Sequence, residues 1–206
     1  MPERREQTTM NRINYDKIFR ETAENLDGKK SLLLHVCCAP CSSAVLERVV
    51  PHFDVTLFFY NPNITDENEY HKRLNELVRF IKTAYGEAIP IVDGGYMPET
   101  FYGYSAGLEK EREGGARCFK CYRERLTQTA KYAKDNNFDF FCTTLSVSPY
   151  KNAEKLNEIG GELAETFEIR YLFSDFKKEQ GYVRSIELSK FYGLYRQNYC
   201  GCEYSH

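Results

Sequence analysis

Seven of the eight cysteines in this chain fall into three tight groups: Cys37-Cys38-x-x-Cys41, Cys118-x-x-Cys121 and Cys200-x-Cys202. Thiolates so spaced hold soft metals, and four of them complete one tetrahedral zinc or one iron–sulfur cluster. Seven is too many for one such centre. A remainder of three describes a second ion with an open coordination position, which is the arrangement of a reactive metal rather than a structural one. An all-sulfur donor set favours iron–sulfur or zinc over magnesium or manganese. The i, i+3 spacing of Cys38 and Cys41 suits one ion. Cys37 and Cys38, taken as successive strand residues, point to opposite sides and would serve two neighbouring centres. Cys118 and Cys121, flanked by Arg117 and Arg123, end at a helix start, and Gly201 permits the tight turn that brings Cys200 and Cys202 inward. The competing readings are a redox dithiol for Cys118 and Cys121 and a tail disulfide for Cys200 and Cys202. Cys142, between Phe141 and Thr143, reads as a small core residue. His35, just before the first group, reads as a buried, satisfied histidine or as a proton relay. His52, His71 and His206 have no ligand spacing.

The elements that must position these thiols alternate. Apolar runs at 31–36, 55–60, 89–92, 138–145 and 169–173 have the length of buried parallel strands. Helical spacing marks 11–27, 44–50, 67–85, 121–136 and 182–191, and Ser148-Pro149 reads as the N-cap and first residue of one more helix. Residues 1–10 read as a loose tail, and 93–117, rich in Gly and Tyr, carry no clear period. Strand–helix alternation predicts an α/β, Rossmann-like parallel sheet flanked by helices. Ligands bind such sheets at the carboxyl ends of the strands. The first cysteine group, Tyr60-Asn61 and Thr143-Thr144-Leu145-Ser146 would all meet there. The expected division is an N-terminal tail and helix over 1–30 and a single catalytic domain over 31–206, with a C-terminal metal-binding segment.

At 206 residues, 42% hydrophobic and 28% charged, the chain has the composition of one soluble domain. Net charge is -2, so no global polycation signals nucleic acid. Locally, however, Arg117, Lys120, Arg123, Arg125, Lys131 and Lys134 face only Glu124. That stretch is a solvated helix face or a phosphate-contacting surface. No run is long and apolar enough to span a bilayer, and no apolar stretch follows the basic N-terminus as in a secretory signal. The expectation is therefore a cytoplasmic protein with reduced cysteines, in which the Asn63-Ile64-Thr65 sequon has no meaning. Neither G-x-G-x-x-G nor G-x-x-x-x-G-K-[ST] is present, so nicotinamide, flavin and P-loop ATP chemistry lack support.

These motifs, in order, resemble the QueH family of epoxyqueuosine reductases. The resemblance rests on His35-Val36-Cys37-Cys38-Ala39-Pro40-Cys41, Tyr60-Asn61-Pro62-Asn63-Ile64, Arg117-Cys118-x-x-Cys121-Tyr122, Thr143-Thr144-Leu145-Ser146-x-Ser148-Pro149-x-Lys151 and Gly193-Leu194-Tyr195-Arg196-Gln197-x-Tyr199-Cys200-Gly201-Cys202. It spans about residues 31–202. It implies a fold similar to the adenine-nucleotide alpha-hydrolase and PP-loop group, a [4Fe-4S] cluster and an adjacent mononuclear metal, iron or zinc. It also implies the last step of queuosine formation, in which the epoxide on the cyclopentane ring is reduced to the alkene in the anticodon loop of tRNA at the expense of an external electron donor. One position departs from the family pattern: some members carry Asp where this chain has Cys41, so three thiolates would hold the ion here. The assignment that follows is Cys37, Cys118, Cys121 and Cys202 to the cluster and Cys38, Cys41 and Cys200 to the catalytic metal, with Cys200 and Cys202 interchangeable. Asn61, Arg117, Arg123, Thr143, Ser146, Lys151 and Arg196 are the expected substrate contacts. Tyr60, Tyr122, Tyr195 and Tyr199 are stacking or core residues, and Asp175 and Tyr199 are weaker candidates for proton donors. The alternatives are a PP-loop-like tRNA-thiolating enzyme, a zinc-binding nucleic-acid-binding module and a thiol–disulfide oxidoreductase.

Overall fold

The structure, a computed structural model, describes residues 13–205; the tail expected over 1–10 and His206 lie outside them. Five parallel strands form one sheet in the order β3-β2-β1-β4-β5. They are β1 (Lys30–His35), β2 (Phe53–Phe59), β3 (Ile91–Asp93), β4 (Phe140–Thr143) and β5 (Arg170–Tyr171). The helices are α1 (Tyr15–Glu24), α2 (Ala39–Val49), α3 (Glu67–Tyr85), α4 (Pro98–Ser105), α5 (Ala116–Asp135), α6 (Ala153–Phe167) and α7 (Gly181–Phe191). The expected α/β class holds.

Both faces of the sheet are covered, which is why its strands read as continuous apolar runs. On β1, Leu32 and Leu34 pack into a core with Val45, Leu46 and Leu77 of α2 and α3. Leu33 points the other way, against Leu126, Leu156 and Ile159 of α5 and α6. All three leucines are fully buried, each stabilising the fold by about 1.5–3 kcal/mol. α1 belongs to the first layer. Its Phe19 meets Phe176 edge-on at 5.2 Å, and its buried Asp16 binds Arg48 of α2 at 2.7 Å. The opposite layer is tight where α6 crosses β5: a Cβ on Gly160 would lie 2.4 Å from the Tyr171 ring.

Several boundaries differ from the sequence expectation, for local reasons. α2 begins at Ala39 rather than 44, because Pro40 is tolerated in a first turn, so Cys41 lies inside the helix. α5 begins at Ala116, which puts both Cys118 and Cys121 on it, and a short helix, α4, occupies part of the unassigned 93–117. β4 stops at Thr143, whose side chain accepts from Leu145 N and caps a 3-10 turn, Thr144–Val147. Ser148 and Pro149 do not start the next helix. Asn152 caps it, its Oδ1 accepting from Lys155 N at 3.0 Å.

The chain runs outward from β1 through β2 to β3, then returns to place β4 on the other side of β1. The strand order thus reverses between β1 and β4, where a crevice opens at the carboxyl ends. His35 and Thr143 are register partners at that edge, so the segments that follow them, Val36–Cys38 and Thr144–Val147, form adjoining walls.

Candidate metal centre

Four of the seven grouped cysteines, Cys37, Cys38, Cys41 and Cys200, line one cavity of about 420 Å3 at this switch point. The Sγ atoms of Cys37, Cys38 and Cys41 lie within 4.8 Å of one another, and those of Cys37 and Cys38 are 3.6 Å apart. The expectation that Cys37 and Cys38 diverge fails. β1 ends at His35, so strand alternation no longer governs Cys37 and Cys38, and the turn into α2 brings their thiols together. Cys38 is the N-cap of α2, and the helix start supplies backbone N–H groups and a positive dipole to the thiol group.

The other cysteines approach from two further segments. Cys118 and Cys121 lie one turn apart on α5, and Cys118 Sγ accepts from Gly114 N at 3.2 Å. Cys200 interacts with Cys202 beside it and with the charge of Cys121. All eight cysteines are free thiols, so the tail disulfide is not formed. Cys142 is fully buried in the core, where desolvation pushes its thiol up to about 12.

Arg73 of α3 fixes the C-terminal segment. Its Nη1 donates to Cys200 O at 3.0 Å and its Nε to Glu69 at 2.7 Å, while Asn63 Nδ2 donates to Cys200 Sγ at 3.6 Å. Gly201 has φ +107°, and a Cβ there would lie 2.9 Å from Ile64 Cγ1 and 3.2 Å from Arg73 Nη1. The flexibility read from Cys200-Gly201-Cys202 is therefore a requirement. Gly201→Ala is expected to cost about 1–2 kcal/mol in backbone strain alone. It should leave the C-terminal segment open to proteolysis, with peptide mapping as the check; wild-type cleavage kinetics would refute the point.

The strongest electrostatic feature is Arg125, which is 1% exposed. Its Nη2 donates to Asn61 Oδ1 at 2.6 Å, its Nε to His35 Nε2 at 3.2 Å, and its Nη1 reaches Cys121 Sγ at 3.9 Å. None of these partners is a carboxylate. A buried cation needs a counter-charge, and thiolates are the anions at hand. Although burial opposes its charge, the sulfurs of Cys121, Cys37 and Cys200 favour the charged form of Arg125, even as burial pushes the Cys121 thiol up and the hydrogen bond with Cys38 pushes the Cys37 thiol up. His35 is kept neutral, its pKa lowered to about 3 by burial first and then by the Arg125 charge. Its Nε2 faces both Arg125 Nε at 3.2 Å and the Tyr60 carbonyl at 3.1 Å, and its Nδ1 lies 2.9 Å from Thr143 Oγ1. Hydrogen bonds from Cys37 and Cys41 hold the Cys38 thiol well below its ordinary range. Cys200 is held low by Cys202, against burial, and then by the charges of Lys151 and Arg125. Thiolate character at Cys38 and Cys200, a buried cation and three sulfurs within 4.8 Å of one another fit an anionic sulfur-ligated centre.

Of the expected substrate contacts, Lys151 and Arg196 line the cavity. Asn61, Thr143 and Ser146 are buried behind its wall and are spent internally: Asn61 on Val36 O and Arg125, Thr143 on His35, and Ser146 on Phe176 N. Arg117 is buried and donates to the carbonyls of Leu108, Glu109 and Glu111 at 2.7–2.9 Å. Arg123 pairs with Glu162 on the surface. The locally basic stretch is thus broken up: Arg117 and Arg125 are inside, and Arg123, Lys131 and Lys134 pair with carboxylates. Among the tyrosines, Tyr199 lines the cavity, Tyr60 donates to Glu124 and Tyr195 to Glu69. Asp175 pairs with Lys177 at 3.2 Å and borders a different cavity. The sequence reading missed Arg73, Arg125, Tyr150, Tyr182 and Gln197, all of which line the site. Only Gln197 lay within a motif, and only Arg125 lay on the helix face already marked by Cys118 and Cys121.

Fold and site together define an α/β protein with a five-stranded parallel sheet, in which thiols occupy the turn after the central strand. Among solved structures, the chain is similar to the U34-tRNA thiolase NcsA from Methanococcus maripaludis with its [4Fe-4S] cluster. The TM-score is 0.53 at 14% identity, over 93% of this chain and 67% of that one, a likeness of fold. The family described as Epoxyqueuosine reductase QueH matches residues 32–206, and the chain belongs to it. Curated relatives of that name include those of Streptococcus pyogenes serotype M1 (39% identical, covering 94% of this chain and 78% of the relative) and Thermotoga maritima (36% identical, 85% and 90%). No helix among the described residues is long and apolar enough to cross a membrane.

Proposed function

We propose that this protein reduces epoxyqueuosine to queuosine in tRNA. The carrying observation is the set of thiols from the turn after β1 and from the C-terminus lining one cavity at the topological switch point, in a chain of the QueH family. A cavity of about 420 Å3 admits a modified base with its cyclopentane substituent. The proposed ligands are Cys37, Cys118, Cys121 and Cys202 for a [4Fe-4S] cluster and Cys38, Cys41 and Cys200 for a mononuclear iron or zinc. In support, all three proposed ion ligands border the cavity, joined there by Cys37 of the proposed cluster set, whereas Cys118 and Cys121 are not among its lining residues and Cys202 borders a different cavity. When bound, these groups supply single electrons and a Lewis acid for the epoxide oxygen. The overall change takes two electrons from an external donor and two protons, and releases the oxygen as water.

The protein's own groups bind and orient. Lys151, held at 3.1 Å from Glu113, and Arg196 place positive charge at the cavity for the tRNA backbone. Gln197 Oε1 is buried without a hydrogen-bond partner and offers an acceptor to a substrate N–H or O–H. Arg125 balances the thiolates. The thiolation reading needs a phosphate loop after β1, where this chain has Cys37, Cys38 and Cys41.

Anaerobic incubation with epoxyqueuosine-containing tRNA and a low-potential reductant should convert the nucleoside, read by mass analysis. No conversion by an iron-loaded, reduced protein would overturn the proposal. Cys41→Ser is expected to lose the lone ion and keep four irons and four sulfides per chain. Loss of sulfide with retention of the single ion would reverse the ligand division.

A further inference from the structure

Tyr104 on α4 and Tyr122 on α5 each carry a buried hydroxyl with no hydrogen-bond partner. Such a group is rare, because a buried hydroxyl without a partner has lost its hydration with nothing gained, a penalty that a phenylalanine would avoid. Both rings are held by aromatic neighbours, Tyr104 by Phe101 at 5.4 Å and Tyr122 by Phe119 at 6.1 Å. Neither hydroxyl belongs to the substrate cavity.

What surrounds the hydroxyls is sulfur. Tyr122 follows Cys121 directly and lies one helical turn beyond Cys118, and Cys118, Cys121 and Cys200 are its thiol neighbours. Tyr104 lies against Cys121, whose sulfur its hydroxyl engages without reaching full hydrogen-bond geometry, and beside Cys200. The basic neighbours, Arg125 for Tyr104 and Lys151 for Tyr122, can only donate, so neither can accept a phenolic proton. For Tyr104 the acceptor at hand is the Cys121 sulfur, itself a proposed cluster ligand, and for Tyr122 it must be a group that the site receives.

We propose that the Tyr104 and Tyr122 hydroxyls donate hydrogen bonds to the sulfur of the cluster bound at Cys118 and Cys121, and thereby set its reduction potential. This rests on the cofactor proposed above. A hydrogen bond withdraws electron density from sulfur and favours the reduced, more negative cluster, so two donors raise the potential. Both tyrosines are positioning residues that act on the cluster and do not touch substrate.

The test uses Tyr104→Phe, Tyr122→Phe and the double variant, reconstituted anaerobically beside the wild type. Iron and sulfide content should be unchanged. The midpoint potential from a redox titration followed by electron paramagnetic resonance should move negative in each single variant and further in the double. The Fe–S stretching bands of the wild type should shift in D2O, and those of the double variant should not. Without metal, the variants should melt at or above the wild-type temperature, because an orphan hydroxyl has been removed. Unchanged potentials in both single variants would overturn the inference and leave the cofactor reading standing. A wild-type chain that takes up no iron and sulfide would instead defeat the cofactor reading, and this inference with it.

Discussion

Arg125→Met is expected to weaken retention of the metal centre by about three orders of magnitude. The guanidinium approaches Cys121 Sγ at 3.9 Å in a fully buried setting. Two unit charges at that separation attract by about 4 kcal/mol at an effective dielectric constant near 20. At 1.36 kcal/mol per decade, that converts to roughly a thousand-fold. The apoprotein should tolerate the change far better. Without the anionic centre, Arg125 has no carboxylate counter-ion, so Met removes a costly buried charge at the expense of hydrogen bonds to Asn61 and His35. Stability and metal retention are thus expected to separate. Iron release under chelator competition measures the second and calorimetry the first. A variant that holds iron as tightly as the wild type would show that Arg125 is packing alone. Arg125→Lys keeps the charge and loses the fork that engages His35, Asn61 and Cys121 together, so it should fall between the two.

The second large effect concerns Arg73→Leu. Arg73 and Glu69 form a buried ion pair at 2.7 Å, with side chains 1% and 10% exposed. Removing one partner strands the other, at a cost of about 3–5 kcal/mol. For a chain of this size, that lowers the melting temperature by about 10 °C. The loss has a second part. The same guanidinium carries the carbonyls of Tyr199 and Cys200 and stacks 5.2 Å from the Tyr199 ring. Without it, Cys200 and Cys202 lose their anchor, and metal content should fall along with stability. A Glu69→Gln/Arg73→Leu double variant relieves the stranded charge and should regain stability without regaining metal. Recovery of both together would mean that Arg73 supports the fold and not the ligands.

The thiols were legible from spacing alone because metal ligation demands particular residue types at short intervals, whatever the surrounding fold. The alternating architecture was legible because buried parallel strands are continuous apolar runs and amphipathic helices keep a 3.6-residue period. Element ends were less so. Ser148-Pro149 has the residue types of a helix start, yet Thr143 had already bent the chain into a 3-10 turn, and Asn152 caps the helix instead. Cys37 and Cys38 diverge only if strand periodicity runs three residues past the end of β1, where the chain has already turned toward α2.

The partners of each polar side chain were beyond the reach of pattern. Arg117, Arg123 and Arg125 look alike along the chain, one basic residue after another beside two cysteines. On α5 they separate into a buried brace for the 108–111 backbone, a surface ion pair and a cation set against thiolates. A helix turns 100° per residue, so each arginine meets a different environment, set by elements remote in sequence.

By itself, then, the amino-acid order determined which atoms can bind metal and which segments cross the sheet, since residue chemistry and local periodicity suffice for both. Tertiary structure alone decided which thiols face the open cavity, which cation lies against them and how the C-terminal pair is held in place. Those are contacts between residues 60 to 140 positions apart, and only the folded topology of β1 between β2 and β4 brings them within reach.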